Sequence, residues 1–210
     1  MASLARREIQ LNRQRLEVSQ KMRIAISGTH CCGKSTLIDK FLDAHPDFAH
    51  EPEPYQALQE QHGETFAAEP CAEDFYRQLE YNVGRLRRGG LGDLVIYERS
   101  PVDFVAYMFA LAKMGRDPDA ARVLENSLEL AREAITRLDM IVFLPASDLQ
   151  IEVAEDEDPK LRRAVDRRLE SILIDDDLGW FATTHDRVLK ATGTTAQRLQ
   201  TIEDSMRKSS

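Results

Sequence analysis

Apolar residues fall along this chain in two rhythms that alternate. Unbroken runs at Ile24-Ala25-Ile26, Leu94-Val95-Ile96-Tyr97 and Met140-Ile141-Val142-Phe143-Leu144 are too short for core helices and read as strands buried on both faces. Phe48-Ala49-His50 reads as a further short extended piece, and Val188-Leu189-Lys190-Ala191 as a last strand. Between them the apolar spacing turns helical. Leu37, Ile38, Phe41 and Leu42 predict a helix over about 34–44, ending near His45-Pro46. Two more helices are expected at about 55–62 and 72–88, the second with Phe75, Leu79, Val83 and Leu86 on one stripe and Gly89-Gly90 as its stop. Residues 101–114 form an aromatic-rich apolar helix, with Phe104, Val105, Tyr107, Met108, Phe109 and Leu111. Asp117-Pro118 opens a helix through about Leu138, Asp158-Pro159 opens another, and a closing helix starts near Thr195. Strand alternating with helix means a parallel sheet covered on both faces by right-handed crossovers, a three-layer α/β/α fold with five parallel strands.

Length and charge narrow the picture. With 210 residues the chain suffices for one α/β domain with a sizeable core. Residues 1–21, rich in arginine and without Gly or Pro, read as a basic helical extension before a domain over 22–210. That extension is expected to pack on the domain or on a second copy, which would allow a homodimer; Glu8 and Glu17 weigh against a transit peptide. A formal net charge of −8 argues against a nucleic-acid polymer as partner. No apolar run nears the ~20 residues a bilayer requires, so no membrane partner is expected. Cys31, Cys32 and Cys71 are odd in number and two are adjacent, which points to a reducing, cytoplasmic setting.

The chemistry concentrates in Gly28-Thr29-His30-Cys31-Cys32-Gly33-Lys34-Ser35-Thr36, which reads G-x-x-x-x-G-K-S between the first strand and the first helix. That order is the context a phosphate-binding loop requires. Its glycines let backbone N–H groups turn inward on a phosphate chain, and the new helix adds its positive end. Lys34 is then the reach toward the β- and γ-phosphates, and Ser35 supplies a hydroxyl for Mg²⁺. The expected ligand is ATP.

Three further stretches carry candidates. In Glu51-Pro52-Glu53-Pro54 each proline keeps the preceding glutamate extended just past a strand end, where a carboxylate can take a proton from an acceptor hydroxyl. In Glu98-Arg99-Ser100-Pro101 an acid and a guanidinium stand at the end of the next strand, suited to Mg²⁺ and to phosphate. The helix after Asp158 turns Lys160, Arg162, Arg163, Arg167 and Arg168 outward, and reads as a lid over about 152–175 whose arginines close on a transferring phosphate. A solvated charged face is the alternative.

Taken together these motifs resemble the nucleoside and nucleoside-monophosphate kinase branch of P-loop NTPases, the group that includes deoxynucleoside kinases and the ribosylnicotinamide kinase domain. The likeness spans roughly residues 22–202, with Glu53-Pro54, Gln78 and Glu98-Arg99-Ser100 in the family's order after the loop. It implies that Glu53 activates an acceptor hydroxyl, with Glu51 a rival. It also implies that Gln78, flanked by Arg77 and Tyr81, meets the acceptor, that Glu98 joins Ser35 at Mg²⁺, and that Arg99 orients the base or a phosphate. Arg162 and Arg163 become the lid arginines with Arg167 in reserve, and Gly193, Thr194 and Arg198 the loop that wraps adenine. The implied activity is transfer of the γ-phosphate of ATP to a small acceptor, a nucleoside or nucleotide. The rival is an ATP-binding regulatory module with no acceptor. A GTP switch is disfavoured because the chain has no Asn-Lys-x-Asp motif.

Overall fold

The structure is a computed structural model that describes residues 21–67, 69–88, 94–146 and 158–209. The expected N-terminal helix, the Gly89-Gly90 stop and the acidic run 152–157 lie outside the described residues.

Five strands form one sheet: β1 (Met22–Ser27), β2 (Ala49–Glu51), β3 (Leu94–Glu98), β4 (Met140–Phe143) and β5 (Val188–Lys190). Their order is β2-β3-β1-β4-β5 and every pairing is parallel. Strand alternation sends successive side chains to opposite faces, and both faces are apolar. Ile24, Ile26, Ile96, Met140 and Val142 face one layer, where α1 (Lys34–Ala44) and α7 (Thr195–Ser209) add Leu37, Phe41 and Ile202. Ala25, Val95, Tyr97, Ile141 and Phe143 face the other layer. That layer is built by α3 (Ala72–Arg88), α4 (Pro101–Met114), α5 (Ala120–Ile135) and α6 (Pro159–Leu173). The short α2 (Pro54–His62) lies between β2 and α3 in the chain. Sandwiching the sheet this way is the three-layer α/β/α arrangement of P-loop proteins, as the sequence pattern implies.

Helix α4 is buried nearly all round, from Pro101 through Leu111. Ser100 caps it through a reciprocal box with Asp103, Pro101 occupies its first turn, and Gly115 ends it at φ 63°. Helix α5 differs from expectation. It starts at Ala120, because the Asp117 carboxylate accepts from Asp119 N (2.9 Å) and Ala72 N (2.7 Å) and so holds residues 117–119 in a turn tied to α3. It ends at Ile135, and Thr136 to Leu138 close in a turn before β4.

Helix α3 shows the clearest shift. Its apolar stripe is as the spacing predicts, but a second stripe, Asp74, Gln78, Asn82 and Arg85, is buried as well. These positions recur at helical spacing and face the carboxyl edge of the sheet. Arg77 and Tyr81, one residue off that stripe, flank it: Arg77 pairs with Asp74, and Tyr81 lies under Arg85.

Candidate active site

Strands β1, β2 and β3 end in Ser27, Glu51 and Glu98, so the carboxyl edge of the sheet gathers polar groups where loops depart. The segment 28–33 leaves β1 and delivers α1. Gly33 stands at the N-cap at φ 87° with no side chain capping the helix, which leaves the first-turn N–H groups for an anion. Gly28 has φ 154°, and a Cβ there would lie 2.6 Å from Cys32 Sγ and 2.8 Å from Leu144 O. Only glycine fits. Cys31 adopts a left-handed φ of 52°.

Side chains brace this loop from several sides. Gly28 N donates to Asp103 Oδ1 (2.9 Å), and Asp103 also accepts from Ser100 N (2.9 Å) and Ser100 Oγ (3.0 Å). Arg198, 1% exposed, donates from Nη1 to Cys32 O (2.8 Å). Arg162 Nη2 donates to Cys31 O (3.3 Å), whereas Arg163 and Arg167 are exposed on the same helix. Lys34 is buried and folds back, its Nζ donating to Thr29 O (2.8 Å). Gly193 at φ 83° turns the chain into α7, where Thr194 N donates to Gln197 Oε1 (2.8 Å). Ser35 and Thr36 are exposed at the loop mouth. Ser35 Oγ donates to Glu98 Oε1 (2.9 Å), which sets a hydroxyl and a carboxylate side by side beside the phosphate cradle.

Glu53 and Arg99 are a buried pair. Arg99 Nε donates to Glu53 Oε1, Nη1 donates to Gly28 O (3.0 Å), and Nη1 approaches Asp103 Oδ1 at 3.5 Å. Arg99 also has a left-handed φ of 74°, with its N donating to Ile26 O (3.0 Å) and its O accepting from Asn82 Nδ2 (3.1 Å). Backbone strain of that kind persists only where the surroundings over-determine it. Glu53 sits at the N-cap of α2 but makes no cap bond, because Arg99 engages its carboxylate. Burial would raise the Glu53 carboxyl, but the Arg99 charge, with Lys34 and His30, outweighs it and holds the pKa at about 2. His30 stands opposite, its pKa lowered to about 4 by desolvation and then by Arg99, so its ring is neutral at pH 7. Glu51 points elsewhere: it accepts from Arg85 Nη1 (3.0 Å), which also donates to Pro52 O (2.6 Å). The two glutamates, equivalent in the sequence, are thereby separated.

Beside the loop lies a cavity of about 370 Å³ lined by His30, Glu53, Tyr55, Asp74, Gln78 and Arg99, among others. Phe66 and Tyr55 stack at its mouth (4.7 Å), and Phe75, stacked on Tyr107 (4.4 Å), walls it. Gln78 Nε2 donates to Asp74 O (3.2 Å). Arg77 stays at the rim, paired with Asp74 and with Glu64 (3.2 Å) and lying over the Phe66 ring (5.1 Å). Tyr81 does not line the cavity: it lies under Arg85 (4.9 Å) and against His62 (5.6 Å). Among the described residues no group of three or more His, Cys, Asp or Glu is placed to hold a metal ion, and no helix is long and apolar enough to cross a membrane.

A sequence model of the family described as AAA domain matches residues 23–182, from β1 to beyond α6. The chain belongs to this AAA domain family. No curated protein is similar enough in sequence to match. Among solved structures, this AAA domain is similar to a NadR protein in complex with NR (TM-score 0.59, 16% identity), covering 89% of this chain and 52% of that one. It is also similar to thymidylate kinase from Candida albicans (TM-score 0.60, 13% identity; 91% and 93% covered) and to deoxyadenosine kinase from M. mycoides (TM-score 0.54, 10% identity; 89% and 100% covered). At such identities the likeness establishes the fold alone, the three-layer α/β/α fold of P-loop proteins. The AAA domain spans about half the length of the NadR chains it matches.

Residues absent from the sequence candidates complete the site. Asp103 has a readable signal, since Ser100-Pro-Val-Asp103 has the S-x-x-D form of a capping box. Asn82 and Asp74 have none beyond their place on the helix.

Proposed function

We propose that this chain is an ATP- and Mg²⁺-dependent phosphotransferase that moves the γ-phosphate of ATP to a small acceptor bound in the 370 Å³ cavity. The acceptor class is a nucleoside or nucleotide. The observation that carries the reading is the placement of Glu53. Its carboxylate lines the cavity while Arg99 ties it to Gly28 O of the phosphate loop, so one ion pair connects the two ligand sites.

In this reading an acceptor hydroxyl attacks the γ-phosphorus. Its oxygen–phosphorus bond forms as the bond from phosphorus to the β–γ bridging oxygen breaks, the hydroxyl proton passes to the Glu53 carboxylate, and ADP departs. A base held near pKa 2 is weak, but phosphoryl transfer runs through a loose transition state that asks for little proton removal before attack. The Glu53 contribution is therefore chiefly to orient the hydroxyl. Lys34 exchanges its bond to Thr29 O for the phosphates, and Arg162, already at the loop, supplies charge to the transferring group. Ser35 Oγ and Glu98 Oε1, 2.9 Å apart, fit a Mg²⁺ that keeps most of its waters and takes only one or two protein oxygens. When bound, the ion neutralises charge on the phosphates. Arg198 acts as a brace behind the loop, and Gly193-Thr194 is the candidate adenine contact. The three cysteines, free in this fold, accord with a reducing compartment.

The test is ADP release from Mg-ATP with and without a panel of nucleosides and nucleotides. Acceptor-stimulated release is expected. ATP binding with no acceptor-stimulated turnover would favour a regulatory module instead.

A further inference from the structure

Arg198 carries a charge that its surroundings do not balance. Among the described residues it is the largest of the fully buried side chains, 1% exposed, and it lies behind the phosphate loop in the first turn of α7. Nη1 donates to Cys32 O (2.8 Å), whereas Nε and Nη2 are buried without a partner, and no carboxylate pairs with the guanidinium among the described residues. The charge also stands at the positive end of its own helix. Burying a charge on these terms lowers folding stability. The buried Arg99, in contrast, meets Glu53 and Asp103.

The bond to Cys32 O indicates what the charge does. The peptide that follows Cys32 is trans, so it is planar with its C=O and N–H pointing in opposite directions. With the carbonyl held toward Arg198, the Gly33 N–H points away from it. Gly33 is the N-cap of α1, and no protein group accepts from its N–H among the described residues. A cation on the carbonyl also polarises the peptide and strengthens that N–H as a donor. We infer that Arg198 is a positioning residue of the phosphate loop: its buried charge, unfavourable in the nucleotide-free chain, aims and strengthens the Gly33 N–H as a donor to the phosphates of a bound nucleotide. The inference rests on the loop holding a nucleotide, as the proposed function has it, and does not require transfer.

The test uses Arg198→Met, which fills similar space without charge, and Arg198→Lys, which keeps a charged donor. Each full chain is titrated calorimetrically with a non-hydrolysable ATP analogue and Mg²⁺, and is unfolded in urea without nucleotide. Arg198→Met should bind the analogue at least about 10-fold more weakly than the wild type. Its urea midpoint should nevertheless equal or exceed the wild-type value. Arg198→Lys should bind more tightly than Arg198→Met. A packing role alone would instead lower affinity and stability together. Unchanged affinity in Arg198→Met, a lower midpoint, or Arg198→Lys binding no better than Arg198→Met overturns the inference, as does a wild type that binds no nucleotide. Acceptor-stimulated ADP release separates it from the kinase reading. No stimulated release from a chain that binds the analogue refutes the kinase and leaves the role of Arg198 standing. Stimulated release with unchanged affinity in Arg198→Met does the opposite.

Discussion

Replacing Glu53 by Gln tests the electrostatic pair directly, because the change keeps shape and removes one charge. Two independent routes give its magnitude. The Glu53 carboxyl falls from an ordinary 4.5 to about 2, and at about 1.4 kcal/mol per tenfold in proton affinity this amounts to roughly 3 kcal/mol of folding stability near neutral pH. Breaking a buried ion pair on one side costs about 3–5 kcal/mol, since the other charge stays buried. Arg99, 2% exposed, keeps Gly28 O and Asp103, which favours the lower end. Urea unfolding at pH 7 should therefore show Glu53→Gln less stable by about 3 kcal/mol. The pH dependence follows from the sign of the shift. A carboxyl depressed in the folded state binds protons more readily when unfolded, so its contribution is complete above about pH 4.5 and fades as pH falls toward 2. About half the gap between the two proteins should be gone by pH 3. A loss under 1 kcal/mol at pH 7, or a gap that widens on acidification, would refute the pairing argument.

Other substitutions probe separate parts. Lys34→Ala should leave the circular dichroism spectrum unchanged and reduce phosphoryl transfer by at least about 100-fold, as single-turnover kinetics would register. Gly28→Ala should abolish ATP binding in a fluorescent-nucleotide titration, because its Cβ must displace Cys32 Sγ at 2.6 Å and Leu144 O at 2.8 Å. Asp103→Ala leaves the N–H groups of Gly28 and Ser100 without their acceptor, and should lower the unfolding free energy by about 2–4 kcal/mol in a denaturant titration.

Much of the fold is legible in the sequence because strands buried on both faces have little choice but continuous apolar runs, and glycine loops between strand and helix have few other uses. The strand ends fall where Pro52, Pro101 and the phosphate loop imply. What local pattern does not carry is rotation and partnership. Glu51 and Glu53 stand in the same Glu-Pro context, and only the buried Arg85 and Arg99, distant in sequence, tell them apart. The arginines of α6 share one sequence pattern, yet Arg162 alone of the sequence-picked three meets a loop carbonyl in the structure. On α3 the sequence reading includes Gln78, which lies on the buried polar stripe, but takes Arg77 and Tyr81 with it in place of Asp74 and Asn82, since hydrophobic spacing does not rank one polar neighbour over the next. The left-handed backbone at Arg99 leaves no trace in residue type at all.

Acceptor-stimulated ADP release, measured in parallel for the wild type, Glu51→Gln and Glu53→Gln, tests the central claim most directly. The account predicts that one compound stimulates the wild type strongly, that Glu51→Gln largely retains the stimulation, and that Glu53→Gln loses it while still binding ATP. Full stimulation in Glu53→Gln with loss in Glu51→Gln would contradict the assignment of the base. ATP binding with no stimulated release by the wild type would contradict the enzyme itself.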